Sequence, residues 1–310
     1  MKFLFMKIHA HKFSIERMSL MFDVSRSGYY RFAREIVSKR VKENEILLEK
    51  IKKAHVKSRQ TYGSPRIQAE IKSQGDYYSR KRIARLMQQE GIQAKMKKRF
   101  KKTTKVNPKA KVAPNLLNQN FAADKPNQRW VADITYIATA QGWLYVAAVL
   151  DLFSRRIVGL AMSERMTSEL VINALKQALT HRNPEQGLMH HSDKGCQYTS
   201  KNFQDLLKEN KITVSMSGTG NCYDNAAMES FFHTLKTEHV HFEHYRTREQ
   251  AKLSIFEFVE VFYNRQRLHS TLGYLAPVEY EKKRLCPLNP GIFKDMGTSS
   301  PAIFQEIRKV

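Results

Sequence analysis

No run of apolar residues in the sequence approaches the roughly 20 that a bilayer-spanning helix needs, so no membrane partner is expected. The opening MKFLFMKIHA places only four apolar residues between its first two lysines. That is too short for the core of a secretory signal. Cysteine is scarce as well: Cys196, Cys222 and Cys286 lie far apart, without the paired spacing of a zinc site or a disulfide framework. A reducing cytoplasm is the expected compartment. Acidic residues are scarce in one region only. Residues 1–120 carry 9 of them against 30 lysines and arginines, whereas residues 121–310 carry 20 against 23. The net charge of +24 therefore sits on a cationic arm joined to a nearly neutral body. Such an arm releases counterions from a polyphosphate and binds it in a salt-sensitive way.

What is present along the arm is helical patterning. Residues 15–33 read as two short helices, with Met18, Met21 and Phe22 on one apolar face and a serine cap in SRSG. Residues 42–57 form an amphipathic helix with Ile46, Leu47, Ile51 and Ala54 as its stripe. YGSPRIQAEIKS supplies Gly63 as a breaker, Ser64 as a cap and Pro65 at the first helical position. In SRKRIARLMQQEG, Ser79 caps, Ile83, Leu86 and Met87 face inward, and Gly91 terminates. Arg80, Lys81, Arg82 and Arg85 crowd the opposite face, with Arg66 on the preceding helix. Two short helices, the second basic at its start, suit a helix-turn-helix reader of DNA; a solvated basic face on a helical bundle is the plainer alternative. The domain reading is a basic helical DNA-binding region at 1–98, a lysine- and proline-containing linker at 99–128 extended along a partner, a core at 129–284 and a tail at 285–310.

From Trp130 the period changes to that of strands. WVADITYIATA, GWLYVAAVLDL and RRIVGLAMS precede a helix at 167–182, a strand in GLMHHSD, a helix at 200–209, a strand in ITVSMS, a glycine loop, a helix carrying Glu229 and a long helix at 247–266. Three antiparallel strands followed by alternating helices and strands is the element order of a ribonuclease H-like α/β fold, a mixed sheet here preceded by the all-α region. Asp133 in mid-strand defies strand propensity. A sheet of this kind brings Asp133, Asp193 and Glu229 to one edge of its centre. Carboxylates so crowded raise one another's pKa unless cations intervene, and two Mg²⁺ ions would resolve the conflict while clamping the oxygens of a phosphoryl displacement. Asp151 is open to two readings, a fourth ligand or, more readily, a structural acid paired with Arg155 or Arg156; His190 reads as core, and an approach of His191 to the site is the minor alternative for that residue. Cys196 and Cys222 read as packing residues, and Arg265 and Arg267 as available for phosphate contacts.

Thirty-five residues separate Asp193 from Glu229. With SRSGYY, YGSPRI, PNQRWVADITYI, LDLFSRRIVG, HSDKGCQYTS, GNCYDNAAMESFFHTLKTE and FYNRQRLHSTLGYLAPVEYE, this interval resembles the D,D(35)E core of retroviral-type integrases and bacterial transposases. More narrowly, the chain resembles the second-reading-frame (OrfB) product of the insertion-sequence-three (IS-three) family. The resemblance implies a DNA transposase, a polynucleotidyl transferase that cleaves insertion-sequence ends and joins them to new DNA. It implies Asp133, Asp193 and Glu229 as the catalytic, metal-binding triad, with two Mg²⁺ or Mn²⁺ ions per site. Lys236 would contact the DNA end and Asn225 would face the site. Terminal repeats and target DNA are the implied partners, bound by a homo-oligomer. The upstream-frame product is implied as a fusion or associate, and a bacterial, nucleoid-associated cytoplasm as the setting. A structure-specific nuclease of the same fold and a catalytically silent DNA-binding regulator are the alternatives.

Overall fold

Serine caps start the short N-terminal helices, as their sequences predict. In the computed structural model, which describes residues 1–34, 39–95, 113–217 and 225–285, the Ser14 hydroxyl accepts the Arg17 N–H at the start of α2 (Ile15–Phe22). Ser25 likewise accepts the Gly28 N–H at the start of α3 (Arg26–Ala33). Together with α1 (Lys2–His9) they close over Met6, Met18 and Tyr29. Met21 does not join that face and is 83% exposed, because Ile15, Met18, Ser19 and Phe22 already form the i, i+3, i+4, i+7 stripe of so short a helix. The same argument removes Ile46 from the stripe of α4 (Lys39–Lys57), where Leu47, Ile51 and Ala54 point inward. Helix α5 (Ser64–Ser73) begins one residue earlier than expected, with Gly63 as its cap. In α6 (Arg80–Gln89) the Ser79 hydroxyl accepts the Arg82 N–H, and Ile83, Leu86 and Met87 are buried.

These helices form one compact unit, Met1–Ala94, and Lys95–Val310 forms a second. The second is built on a five-stranded sheet of order β3-β2-β1-β4-β5. Strands β1 (Arg129–Thr139), β2 (Gly142–Asp151) and β3 (Ile157–Ser163) run antiparallel to their neighbours, while β4 (Met189–Ser192) and β5 (Thr213–Met216) extend the sheet in parallel. This is the expected ribonuclease H-like topology. Successive side chains alternate across the sheet. Trp130 and Ala132 go to the face covered by α7 (Ser168–Arg182) and α8 (Lys201–Glu209). Val131 and Ile137 go to the face covered by α9 (Ala226–Glu238) and α10 (Arg248–Glu257). Gly159 lets α7 lie directly on β3, since a Cβ there would come within 2.1 Å of the Ala174 carbonyl oxygen.

Three expectations change. Of the linker expected at 99–128, residues 113–128 are packed rather than extended along a partner. Leu117 is buried in the core, and the Leu116 and Leu117 N–H groups both donate to the Ser215 hydroxyl at 2.9 and 3.0 Å. The long helix at 247–266 gives way after Glu257 to a π-helical turn, Phe258–Tyr263. Just beyond it, the Asn264 amide pairs with both backbone groups of Ile157 at 2.9 and 3.0 Å. The Asp151 carboxylate pairs with the side chain of neither Arg155 nor Arg156; the residue meets both only through the backbone. It accepts the N–H groups of Asn127 and Phe153 and meets Arg182 at 3.3 Å. Arg182 and Arg156 both bind Glu281, which belongs to a further helix, α11 (Pro277–Leu285). The glycine loop at 218–224, the tail at 286–310 and Cys222 and Cys286 lie outside the described residues.

Candidate active site

The parallel register of β1 and β4 sets two acids abreast. Val131 pairs with His191; Asp133, two residues further along β1, emerges on the face of Val131, and Asp193 directly follows the last residue of β4, near enough for its charge to act on Asp133. Each carboxylate holds a local backbone donor: Asp133 Oδ1 accepts the Ile134 N–H at 2.8 Å, and Asp193 Oδ1 accepts the Gly195 N–H at 2.9 Å. Gly195 is required by this wrap, since a Cβ would stand 2.9 Å from Asp193 Oδ1. On the same face α9 buries Met228, Phe231, Phe232 and Leu235 and turns Glu229 outward. Asn225 caps its start, and the Asn225 amide donates to the Ala132 carbonyl at 3.2 Å, beside Asp133.

The charges are unevenly compensated. Burial, with the adjacent charge of Asp193 and then that of Glu229, pushes the Asp133 carboxyl up to about 7 against the opposing Ile134 hydrogen bond and Lys236. Burial also raises Asp193, opposed by the Gly195 N–H. Burial lowers Lys236, although Tyr136 and Asp133 hold its charge, and its ammonium lies 5.0 Å from the centre of the Tyr136 ring. Tyr198, two residues beyond Cys196, is buried, and among the described residues its hydroxyl has no partner. Burial and the two aspartates push that phenol well above its usual range.

Among the described residues the donor set is therefore all oxygen, carries surplus negative charge, and offers no thiolate or imidazole at its centre. That chemistry fits a hard divalent cation. Among the described residues no three His, Cys, Asp or Glu side chains are gathered closely enough to enclose an ion. The three acids are linked by charge and not by a closed cage.

Other expected residues fall elsewhere. His190 is buried and held neutral by burial, its pKa lowered to about 3, with its ring against Phe203. His191 is buried as well, with its Nδ1 hydrogen-bonded to the Ser215 hydroxyl at 2.8 Å. Cys196 is exposed and does not pack. Asn225 is buried and its amide nitrogen donates to the Ala132 carbonyl, which fixes the start of α9 on β1, while its Oδ1 has no partner among the described residues. Arg267 is not available to phosphate either: it is buried and forms a two-pronged pair with Glu238 at 2.7 Å on both prongs. In the N-terminal unit Arg82 turns inward to Asn44 and Glu43, whereas Arg80, Lys81 and Arg85 are exposed. Arg66 is half-buried over the Tyr62 ring. Sequence reasoning missed Tyr198, whose ring reads as ordinary core, and Trp143, an exposed indole that sits edge-on to Tyr136 at 5.0 Å.

Comparison with known proteins agrees with this layout. Residues 123–222 and 229–285 each match models of an integrase core domain, and residues 42–100 match an HTH-like domain. The chain is 46% identical over 266 residues to the insertion element IS600 uncharacterized 31 kDa protein of Shigella sonnei, covering 86% of this chain and 98% of that protein. It is 40% identical over 287 residues to transposase InsF for insertion sequence IS3A of Escherichia coli strain K12, covering 92% and 100%. Among solved structures, the simian T-cell lymphotropic virus intasome in complex with PP2A regulatory subunit B56 gamma is 15% identical, covers 76% of each chain and has a TM-score of 0.45.

Proposed function

Because the chain belongs to the IS3-type family of insertion-sequence transposases, we propose that it cleaves and joins the ends of its own element with Asp133, Asp193 and Glu229 as the metal-holding acids. One observation supports this most directly. The β1–β4 register sets Asp133 beside Asp193, and the charge of Glu229 reaches Asp133 from α9. When bound, two Mg²⁺ or Mn²⁺ ions would supply Lewis acidity to the attacking and leaving oxygens of an in-line phosphoryl displacement. The protein's own contribution is alignment and charge. The Ile134 and Gly195 N–H groups orient the two aspartates, and Asn225 fixes the helix that carries Glu229. Lys236 supplies a cation beside the acids for the phosphate of the DNA end.

The reaction has two displacements. Water breaks a phosphodiester at the element's end and leaves a 3′-hydroxyl. That hydroxyl then attacks a phosphodiester of the target, giving a new phosphodiester and releasing the target's 3′-oxygen. Exposed Arg80, Lys81 and Arg85 at the start of α6 suit phosphate contacts that hold the terminal repeats. A second copy of the chain on the paired ends, and the upstream-frame product, complete the proposed assembly.

Asp193→Asn tests the reading. The variant should bind end DNA like the wild type and lose nicking and joining by on the order of a thousandfold or more, the scale of several kcal/mol of lost charge stabilisation. Retained cleavage would refute the assignment. A wild-type protein that nicks but never joins a free 3′-hydroxyl would instead be a nuclease.

A further inference from the structure

Beside the acids lies an open groove of about 700 Å³ between the β1–β2 hairpin and the segment that follows α9. Its hairpin wall carries Tyr136 and Trp143, 39% and 51% exposed, with ring centres 5.0 Å apart in an edge-to-face pair. The two are diagonal neighbours on the antiparallel hairpin, since Trp143 stands opposite Ala138. A cross-strand pair of this kind steadies a hairpin by its own contacts. That accounts for the pairing, but not for the indole left half in water at the mouth of this groove. The opposite wall supplies the Arg246 guanidinium and the imidazoles of His241 and His244 beside one acid, Glu243, so with Lys236 the lining carries two cations to one anion. At the inner end, Lys236 lies over the Tyr136 ring.

Aromatic faces set in a cationic groove bind single-stranded nucleic acid, because an unpaired base presents a face that a duplex keeps stacked. Lys236 places that groove within reach of Asp133. We propose that Tyr136 and Trp143 form a stacking ledge for unpaired nucleotides of the DNA strand that enters the acid cluster. The ledge rests on the reading of the acids as a phosphoryl-transfer site, and it adds what that reading leaves open: the end is held there frayed. The groove's cations would track the strand's phosphates while one base stacks on the indole.

Tryptophan emission tests this on the full-length chain without metal. The chain has two tryptophans, and Trp130 is fully buried, so quenching or protection of the accessible indole reports Trp143. A single-stranded oligonucleotide of roughly ten nucleotides, within the usual site size of such grooves, should quench Trp143 and shield it from acrylamide. A blunt duplex of the same sequence should do neither. Tyr136→Ala should move the single-strand midpoint to roughly tenfold higher concentration, the scale of one lost stacking partner, and Tyr136→Phe should restore it. Equal responses to duplex and single strand, or no response to either, would overturn the ledge; the second outcome would leave the groove to a protein partner. Asp193→Asn separates this proposal from the one it rests on, because it should abolish joining and leave the emission response intact. An Asp193→Asn protein that still joins DNA, with the response present, would sink the active-site assignment and spare the ledge.

Discussion

The core holds acids in two places, buried at Asp151 and Glu281 and half-buried at Asp133 and Asp193, and partners them unequally. At the Asp151–Glu281 cluster both carboxylates have cationic and hydrogen-bonding partners: Arg182 bridges the two acids, Arg156 and the Ser154 hydroxyl add further bonds to Glu281, and Asp151 accepts two backbone N–H groups, although burial still raises it. Burial would raise Glu281, yet the Arg182, Ser154 and Arg156 contacts hold it below the ordinary carboxylate range. At the Asp133–Asp193 pair burial is opposed by one backbone donor to each acid and by a single half-buried lysine, and Asp133 rises to about 7. A fold that gives the acids of one corner two arginines gives those of the other a single half-buried lysine. The difference marks the first cluster as a fastening for α11 and the second as a seat for something positive.

Breaking the arginine-bridged cluster should cost the most. Arg182→Met strands two buried carboxylates, and chemical denaturation should show a loss of about 3–5 kcal/mol. Removing the unmatched charge should do the reverse. Asp133→Asn should stabilise the metal-free protein at pH 8 by up to about 4 kcal/mol, the full worth of a rise from 3.8 to about 7, while abolishing joining. The pH dependence follows from the direction of the shift. Protonated Asp133 carries no burial penalty, so the wild type keeps this contribution below its ordinary value of 3.8 and loses it as the pH rises toward about 7. Denaturation midpoints of wild type and Asp133→Asn should therefore diverge across that window and stay apart above it. The smallest effect belongs to a charge pair in water. Lys252→Ala removes the exposed 2.6 Å contact with Glu249 and should change stability by less than about 0.5 kcal/mol.

Much of the fold was readable because apolar alternation and helical stripes report burial directly. WVADITYI shows both its strand and the one acid that does not belong in it. The misreadings share a cause: polar side chains whose partners are distant in sequence. Arg267 looks like a free cation until Glu238, on another helix, takes both its prongs. PVEYEKKRL has the composition of a solvated helix, and only the three-dimensional meeting of Glu281 with Arg156 and Arg182 explains why it is fastened down. Residues 113–128 read as a linker because asparagine, proline and lysine hide one buried leucine, Leu117. The acids themselves were visible through their spacing, whereas the Tyr136–Trp143 ledge was not. Strand alternation marks those rings as β-formers and says nothing about which of them remain in water.

The most direct test of the shared metal seat is Mn²⁺-dependent thermal stabilisation at pH 8, measured on the wild type and on Asp133→Asn, Asp193→Asn and Glu229→Gln. The wild type should gain melting temperature with Mn²⁺ and lose it on chelation, and each variant should lose most of that response. If any one variant responds to Mn²⁺ as the wild type does, the three acids do not hold ions together, and the proposed chemistry fails.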